Sequence, residues 1–397
     1  MDIFDEPNYR IVKHSSCLTG QWPYQSRQKK IIIITIIWIA FFMQFIPQLI
    51  AILVHLEERD VLFEAFSGII IDLGFAIKYF NAIYKTAQMK ELFERMRRDW
   101  RSLLNEEEKD SLQYRTTLGY LFSAAYVGIV GTTLMIFITE PIIPRFLNIL
   151  LRMNGTAPRK FALPLEYIII DREKHYWTIL FISNLFCINI IVVIISCDIT
   201  LITYVQHICG LFAVIGCRLK NTPADEDLPE DHKRRNNLSN TKNIPYKHLV
   251  SCIRGHRQAL EFADLLESAY SVSLALIVGS NLPLITITGV QVVTQSNTID
   301  KTLKYSTYAI SQTAHLFFEC FMSQQLTDMS LEMHESIADV GWYDISVKSQ
   351  KLLILMTLRS QTPCKLTAAK IMDLSIENFA AMLKTCASYL TMLLSMQ

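Results

Sequence analysis

The stretch that decides the fold is Trp177–Cys217, WTILFISNLFCINIIVVIISCDITLITYVQHICGLFAVIGC. Across these 41 residues Asp198 is the only Asp, Glu, Lys or Arg. A helix crosses the hydrocarbon of a bilayer in about 20 apolar residues, at about 1.5 Å each. As one helix this run reaches about 60 Å, roughly twice the membrane's need, so it has to project from the membrane at one end.

Six further blocks read as spans. Ile31–Val54 is uncharged and contains Pro47, and Phe66–Thr86 carries Asp72 and Lys78 in its interior. Leu118–Thr139 and Ser268–Val293 are uncharged. Tyr305–Leu326 holds Glu319, and Ser375–Ser395 holds Glu377 and Lys384. A shorter apolar piece, Leu352–Leu358, is too short to span. Read instead as a soluble core, seven such blocks would leave no amphipathic helix to enclose them. Their length and lack of period-two alternation exclude a β-barrel. The predicted fold is therefore all-α: a polytopic membrane protein of seven transmembrane helices.

Composition agrees. The chain of 397 residues is 51% apolar and only 19% charged, below the share a soluble surface of this size uses. With 38 basic and 37 acidic side chains it has no excess charge for a nucleic-acid partner. The first block is longer than a signal-peptide core and is expected to stay as an anchor.

Lys and Arg set the orientation. With the N-terminus inside, the cytoplasmic connections hold 24 basic residues and the outside ones 9. This places the N-terminus in the cytoplasm and the C-terminus outside. The strongest local signals are the clusters Arg95, Arg97, Arg98, Arg101 and Lys233, Arg234, Arg235. The sequon Asn154-Gly155-Thr156 falls in an outside connection, where glycosylation needs it. None of the nine cysteines lies in an outside connection, so no disulfide is expected there, and no Cys-x-x-Cys offers a zinc site.

Three regions follow. Residues 1–30 form a cytoplasmic N-terminal segment. Residues 31–345 hold six spans whose fourth, fifth and sixth helices extend into a cytoplasmic anchor bundle, with 221–243 as a charged, disordered loop. Residues 346–397 form a last helix in two parts, an anchor segment and then a span. No HExxH, GxSxG, P-loop or GxGxxG occurs, so no enzyme, cofactor or metal is expected. Among charges within spans, Lys78 and Asp198 are expected near span ends, snorkelling to water. Glu377 and Lys384, two turns apart, share a face of the last span. So do Thr385, Ser388, Met392 and Met396, a stripe read either as packing or as a pore wall with a thioether constriction.

The C-terminal third resembles an insect odorant receptor. The resemblance rests on Glu332–Tyr343 (EMHESIADVGWY), on RSQTPCKLTAAKIMDLSIENFAAMLKTCASYLTMLLSM from Arg359 to Met396, and on LTGQWP, Leu18–Pro23, near the start. Ser388-Tyr389 and Ser395-Met396 replace the Thr-Tyr and Gln-Phe signature of the sister gustatory receptors, so the odorant branch fits better. The resemblance implies one subunit of a tetrameric, non-selective cation channel opened by volatile odorants. It would sit in the plasma membrane of a sensory-neuron dendrite, beside a shared co-receptor subunit or with copies of itself. Four last helices would line the pore, with Met392 and Met396 at a hydrophobic gate. Lys384 departs from the small or apolar residue expected there, so it either turns from the axis or pairs with Glu377.

The implied odorant pocket, carried over by helix position, takes Ile69, Asp72, Leu73 and Ala76 from the second span. Gly131, Leu134, Met135 and Ile138 come from the third, and Trp177, Phe181, Asn184 and Leu185 from the fourth. Tyr305, Tyr308 and Gln312 come from the sixth. Trp177 and Tyr308 are favoured, because rings give contact area at low entropic loss. Two other classes share parts of this pattern. A G-protein-coupled receptor wants the opposite orientation and usually an outer disulfide. A transporter wants paired inverted repeats, of which none is seen, although Pro47 and Pro283 could break helices.

Overall fold

The computed structural model describes residues 3–143, 161–167, 170–223, 244–295 and 299–396. Asn154 and most of the 221–243 loop lie outside the described residues.

Ten α-helices make up nearly all of the described chain. A short α1 (Pro7–Leu18) leads to α2 (Arg27–Val54), α3 (Arg59–Tyr84), α4 (Thr86–Arg101) and α5 (Glu106–Thr139). Then come α6 (Tyr176–Lys220), α7 (Ile244–Thr294), α8 (Ile299–Ala338), α9 (Val347–Ser360) and α10 (Ile376–Ser395). Helices α2, α5, α6 and α7 are long and apolar enough to cross a membrane. Helices α3, α8 and α10 complete the seven, each coinciding with one of the predicted blocks.

The long run Trp177–Cys217 is one unbroken helix inside the 45-residue α6. With α7 at 51 residues and α8 at 40, the three reach roughly 60–77 Å at about 1.5 Å per residue. Their excess over the bilayer thickness packs into a second core at the end that carries Arg95–Arg101, called here the basic end. There α4 buries Leu92, Phe93 and Met96 against Tyr204 and Ile208 of α6. The N-terminal residues Phe4, Tyr9 and Trp22 join this cluster. Helix α5 approaches α6 closely at Gly210, where a Cβ would lie 2.4 Å from a methyl of Leu112. The Leu352–Leu358 piece forms the middle of α9, which packs on α7 and α8.

Between α9 and α10 the chain makes a two-stranded hairpin, β1 (Thr367–Ala368) with β2 (Met372–Asp373). Its turn, closed by Ile371 N–H donating to the Ala368 carbonyl, has positive φ at both Ala369 (52°) and Lys370 (60°). That is the signature of a type I′ turn, which normally takes Asn-Gly. Thr367 anchors it, accepting from Lys370 N–H at its hydroxyl and donating to Glu267 of α7.

The outer face of the bundle is apolar. Ile32, Ile36 and Ile39 of α2 and Trp177, Phe181 and Leu185 of α6 are all more than 45% exposed, as lipid-facing side chains of a membrane protein are.

Candidate functional site

At the middle of the bundle α2, α3, α5, α6, α7 and α8 leave a cavity of about 140 Å³. Most of its wall is apolar, with Ile70 and Ile71 of α3, Leu134 of α5, Ile190 and Ile194 of α6 and Leu284 of α7. Leu163, from the described segment 161–167, covers one side. That segment is strapped to α2: Glu166 N–H donates to the Pro47 carbonyl (3.1 Å), and His55 lies 2.9 Å from the Glu166 carboxylate. Hydrogen bonds to Glu166 and Glu58 hold the His55 imidazole above its ordinary titration range, burial opposing them weakly.

One strip of the wall is polar. Tyr308, Ser311, Gln312 and His315 of α8 stand at i, i+3, i+4 and i+7, so they share the face turned to the cavity. Across from them is Asp72 of α3, only 3% exposed, which accepts from the Gln48 amide at 2.9 Å.

The cavity's floor is an ionic cluster. The Lys78 ammonium contacts the Asp198 carboxylate and lies 2.9 Å from Glu319 and 2.8 Å from Nε2 of His315. Tyr126 donates to the other oxygen of Asp198 (2.6 Å), and the Asn281 amide lies 3.2 Å from Nδ1 of His315. Five helices are thereby tied at one level. The expectation that Lys78 and Asp198 snorkel at span ends is wrong. Both point inward and are at most 10% exposed, because each finds its counter-charge on a neighbouring helix and so never has to reach water. Asp198, His315 and Glu319 offer a metal-like donor set, but the Lys78 ammonium already occupies the place among them that a cation would take.

Of the residues proposed from helix position, Asp72, Leu134, Tyr308 and Gln312 line this cavity. Leu73, Met135, Trp177, Phe181 and Leu185 face the outer surface, with Trp177 60% and Phe181 65% exposed. Ile69, Ala76, Gly131, Ile138 and Asn184 are half-buried and do not line it. Tyr305 is buried, donates to Glu64 and lines a separate small void beside Lys304. Position along the helix was thus carried over without rotation. The residues that helix position missed include Gln44 of α2, Asn281 of α7 and His315 of α8, all lining the cavity. Their signal was available, since polar side chains inside otherwise apolar blocks face protein or cavity rather than lipid.

Helix α10 is capped by Ser375, whose hydroxyl accepts from Asn378 N–H. It buries Met382 and Cys386 and lays Leu390 over Gly289 of α7. The opposite face, with Thr385, Ser388, Met392 and Met396, is exposed on the single chain. Lys384 and Glu377 are exposed too, and among the described residues they form no ion pair with each other.

Comparison with known proteins gives this geometry a family. A 7tm odorant receptor family model matches residues 58–387. Odorant receptor 22c of Drosophila melanogaster is 21% identical over 356 residues, covering 86% of this chain and 83% of that protein. Odorant receptor 67a of the same fly is 26% identical over 156 residues, 39% of this chain and 38% of that one. The fold is that of the insect olfactory receptor OR5 from Machilis hrabei, solved in complex with eugenol. The TM-score is 0.75 at 13% identity, covering 98% of this chain and 97% of that one. The family match spans most of the sequence, and the chain belongs to the 7tm odorant receptor family.

Proposed function

We propose that this chain is the odorant-binding subunit of a tetrameric, odorant-gated, non-selective cation channel, with the central cavity as its receptor site. The observation that carries the reading is the cavity itself: lined by six helices, mostly apolar, with convergent polar groups, the usual make-up of a small-molecule site. The complex of the Machilis receptor with eugenol supports a small volatile as the occupant.

The pore belongs to α10. In the single chain its Thr385–Ser388–Met392–Met396 face has no partner among the described residues, and four copies around an axis would bury it. Met392 and Met396 then form a constriction that closes by excluding water. The N-terminus is cytoplasmic, following the basic-residue bias, and Asn154 is outside. The partner is a co-receptor subunit or further copies of this chain, in the plasma membrane of olfactory neurons.

The test is electrical. Excised patches without nucleotides, from cells expressing the chain with and without a co-receptor subunit, are expected to pass odorant-evoked cation current. Leu134→Trp, which fills the cavity, is expected to abolish it. Responses that need a soluble second messenger, or that survive Leu134→Trp, overturn the reading. Loss of a glycan on Asn154→Gln checks the orientation.

A further inference from the structure

Two groups on one face of α8 have hydrogen bonds left to give. Gln312 is 7% exposed and lines the cavity. Its carbonyl oxygen accepts from the Thr288 hydroxyl at 3.1 Å, while its amide nitrogen Nε2 is buried without a partner among the described residues. One turn earlier Tyr308 lines the cavity too, and its hydroxyl makes no hydrogen bond among the described residues. A buried donor left without an acceptor is costly, so the site favours an occupant that accepts.

The small void beside Lys304 repeats the pattern. It shares Gly68, Phe137, Leu163 and Tyr308 with the cavity and so forms an annex to it. There Gln291, 2% exposed, takes the Ser67 hydroxyl on its oxygen (3.4 Å) and leaves its own Nε2 without a partner among the described residues. The acceptors of the two voids are better supplied. Asp72 receives the Gln48 amide, and Glu64 receives Lys304 and Tyr305. Gln48, whose Oε1 is buried without a partner, lines neither void.

We propose that the cavity is built for an uncharged volatile that accepts hydrogen bonds, a ketone or an ester, and that Tyr308 and Gln312 select it by its carbonyl. Resting on the proposed odorant site, the inference names the ligand class and the residues that read it. A carbonyl oxygen has two lone-pair directions and no proton of its own to place. It takes the Tyr308 O–H and the Gln312 N–H together, while the hydrocarbon lies against Ile70, Ile190 and Leu284. A hydrocarbon ligand leaves both donors unserved, and so does an ammonium, which can only donate.

The probes are methyl pentyl ketone, the alkene in which a methylene group replaces its oxygen, and the matching secondary alcohol. Affinity is read from the concentration dependence of the thermal shift of the purified full-length chain. Each ligand's own hydration is the same whichever protein it meets, so the ketone-to-alkene affinity ratio is compared between proteins. Gln312→Leu is expected to lower that ratio at least about fivefold, and Tyr308→Phe by about as much. Thr288 keeps the Leu284 carbonyl (2.8 Å) as its acceptor in Gln312→Leu, and Tyr308→Phe removes a single oxygen. An unchanged ratio in Tyr308→Phe, or in a folded Gln312→Leu, overturns the inference. So does an alcohol that binds wild type more tightly than the ketone, since its anchor is then an acceptor such as Asp72. Leu134→Trp separates the two readings. If it abolishes binding of all three probes while the other variants leave the ratio unchanged, the cavity is the site and the ligand class is wrong. If it leaves all binding unchanged, the site itself is elsewhere and the inference falls with it.

Discussion

Lys78→Met is the perturbation that most directly tests the floor of the cavity. In the wild type one ammonium serves Asp198 and Glu319, with both carboxylates at most 10% exposed. Methionine keeps the length of the side chain and removes its charge. Two carboxylates then remain at one level of the bundle, with no cation between them. Removing one member of a buried ion pair costs about 3–5 kcal/mol, mainly through the charge left behind. At about 2.1 cal/mol/K per residue, a 397-residue chain would lose roughly 4–6 °C of thermal midpoint. The assay is detergent-solubilised size exclusion after a temperature series, on tagged full-length protein. Asp198→Asn provides the contrast: it leaves one ammonium facing one carboxylate, and asparagine still accepts from Tyr126, so its loss should be smaller. The triple variant Lys78→Met, Asp198→Asn, Glu319→Gln removes every charge of the cluster except what His315 could carry. It is expected to recover most of the lost stability, since a buried ion set can be replaced by neutral groups at little net loss. A Lys78→Met protein as stable as wild type, or a triple variant no better than the single, would refute the account of a charge-balanced floor.

Other outcomes follow from separate features. Because hydrogen bonds raise the folded-state titration of His55, its contribution is fully present below about pH 6.5 and is lost as pH rises through the raised value. Hydrogen exchange in 161–167 should therefore quicken above that range, and His55→Gln should remove the pH dependence. Lys370 is exposed and sits at φ 60°, so Lys370→Gly should raise stability by about 1 kcal/mol, read as a higher thermal midpoint; a lower one would show that its side chain matters. Met392→Ser on the exposed face of α10 should raise resting current by wetting the proposed constriction, and unchanged basal conductance would count against that gate.

Much of the fold was legible because lipid imposes a crude rule: uninterrupted apolar length means a helix across it. Trp177–Cys217 announced both a span and its projection, and α6 is that helix. Side-chain rotation was not legible by the same rule. A block apolar all round gives no period to tell a lipid-facing Trp177 from a cavity-facing Ile190. Polar residues within blocks broke that symmetry. Asp72, Gln312 and His315 all turn inward, as did Lys78, because hydrocarbon offers them no hydrogen bonds. Reading Lys78 and Asp198 as separate events near span ends hid their pairing, which joins positions 120 residues apart. The left-handed residues at Ala369 and Lys370 were invisible for a different reason. Neither residue type favours that conformation, and the contacts of Thr367 to Glu267 and Lys370 N–H hold the turn instead.

Helix α8 is where the proposed receptor site and the proposed pore meet. One of its faces carries Tyr308, Gln312, His315 and Glu319, the cavity wall and its ionic floor. Another carries Phe317, whose ring lies 5.5 Å from Phe379 at the start of α10 and stacks on Phe321. A rigid helix cannot turn one face without turning the other. A ligand that binds more tightly to one rotation of α8 thereby shifts the seat of α10, and only that difference in affinity can do so.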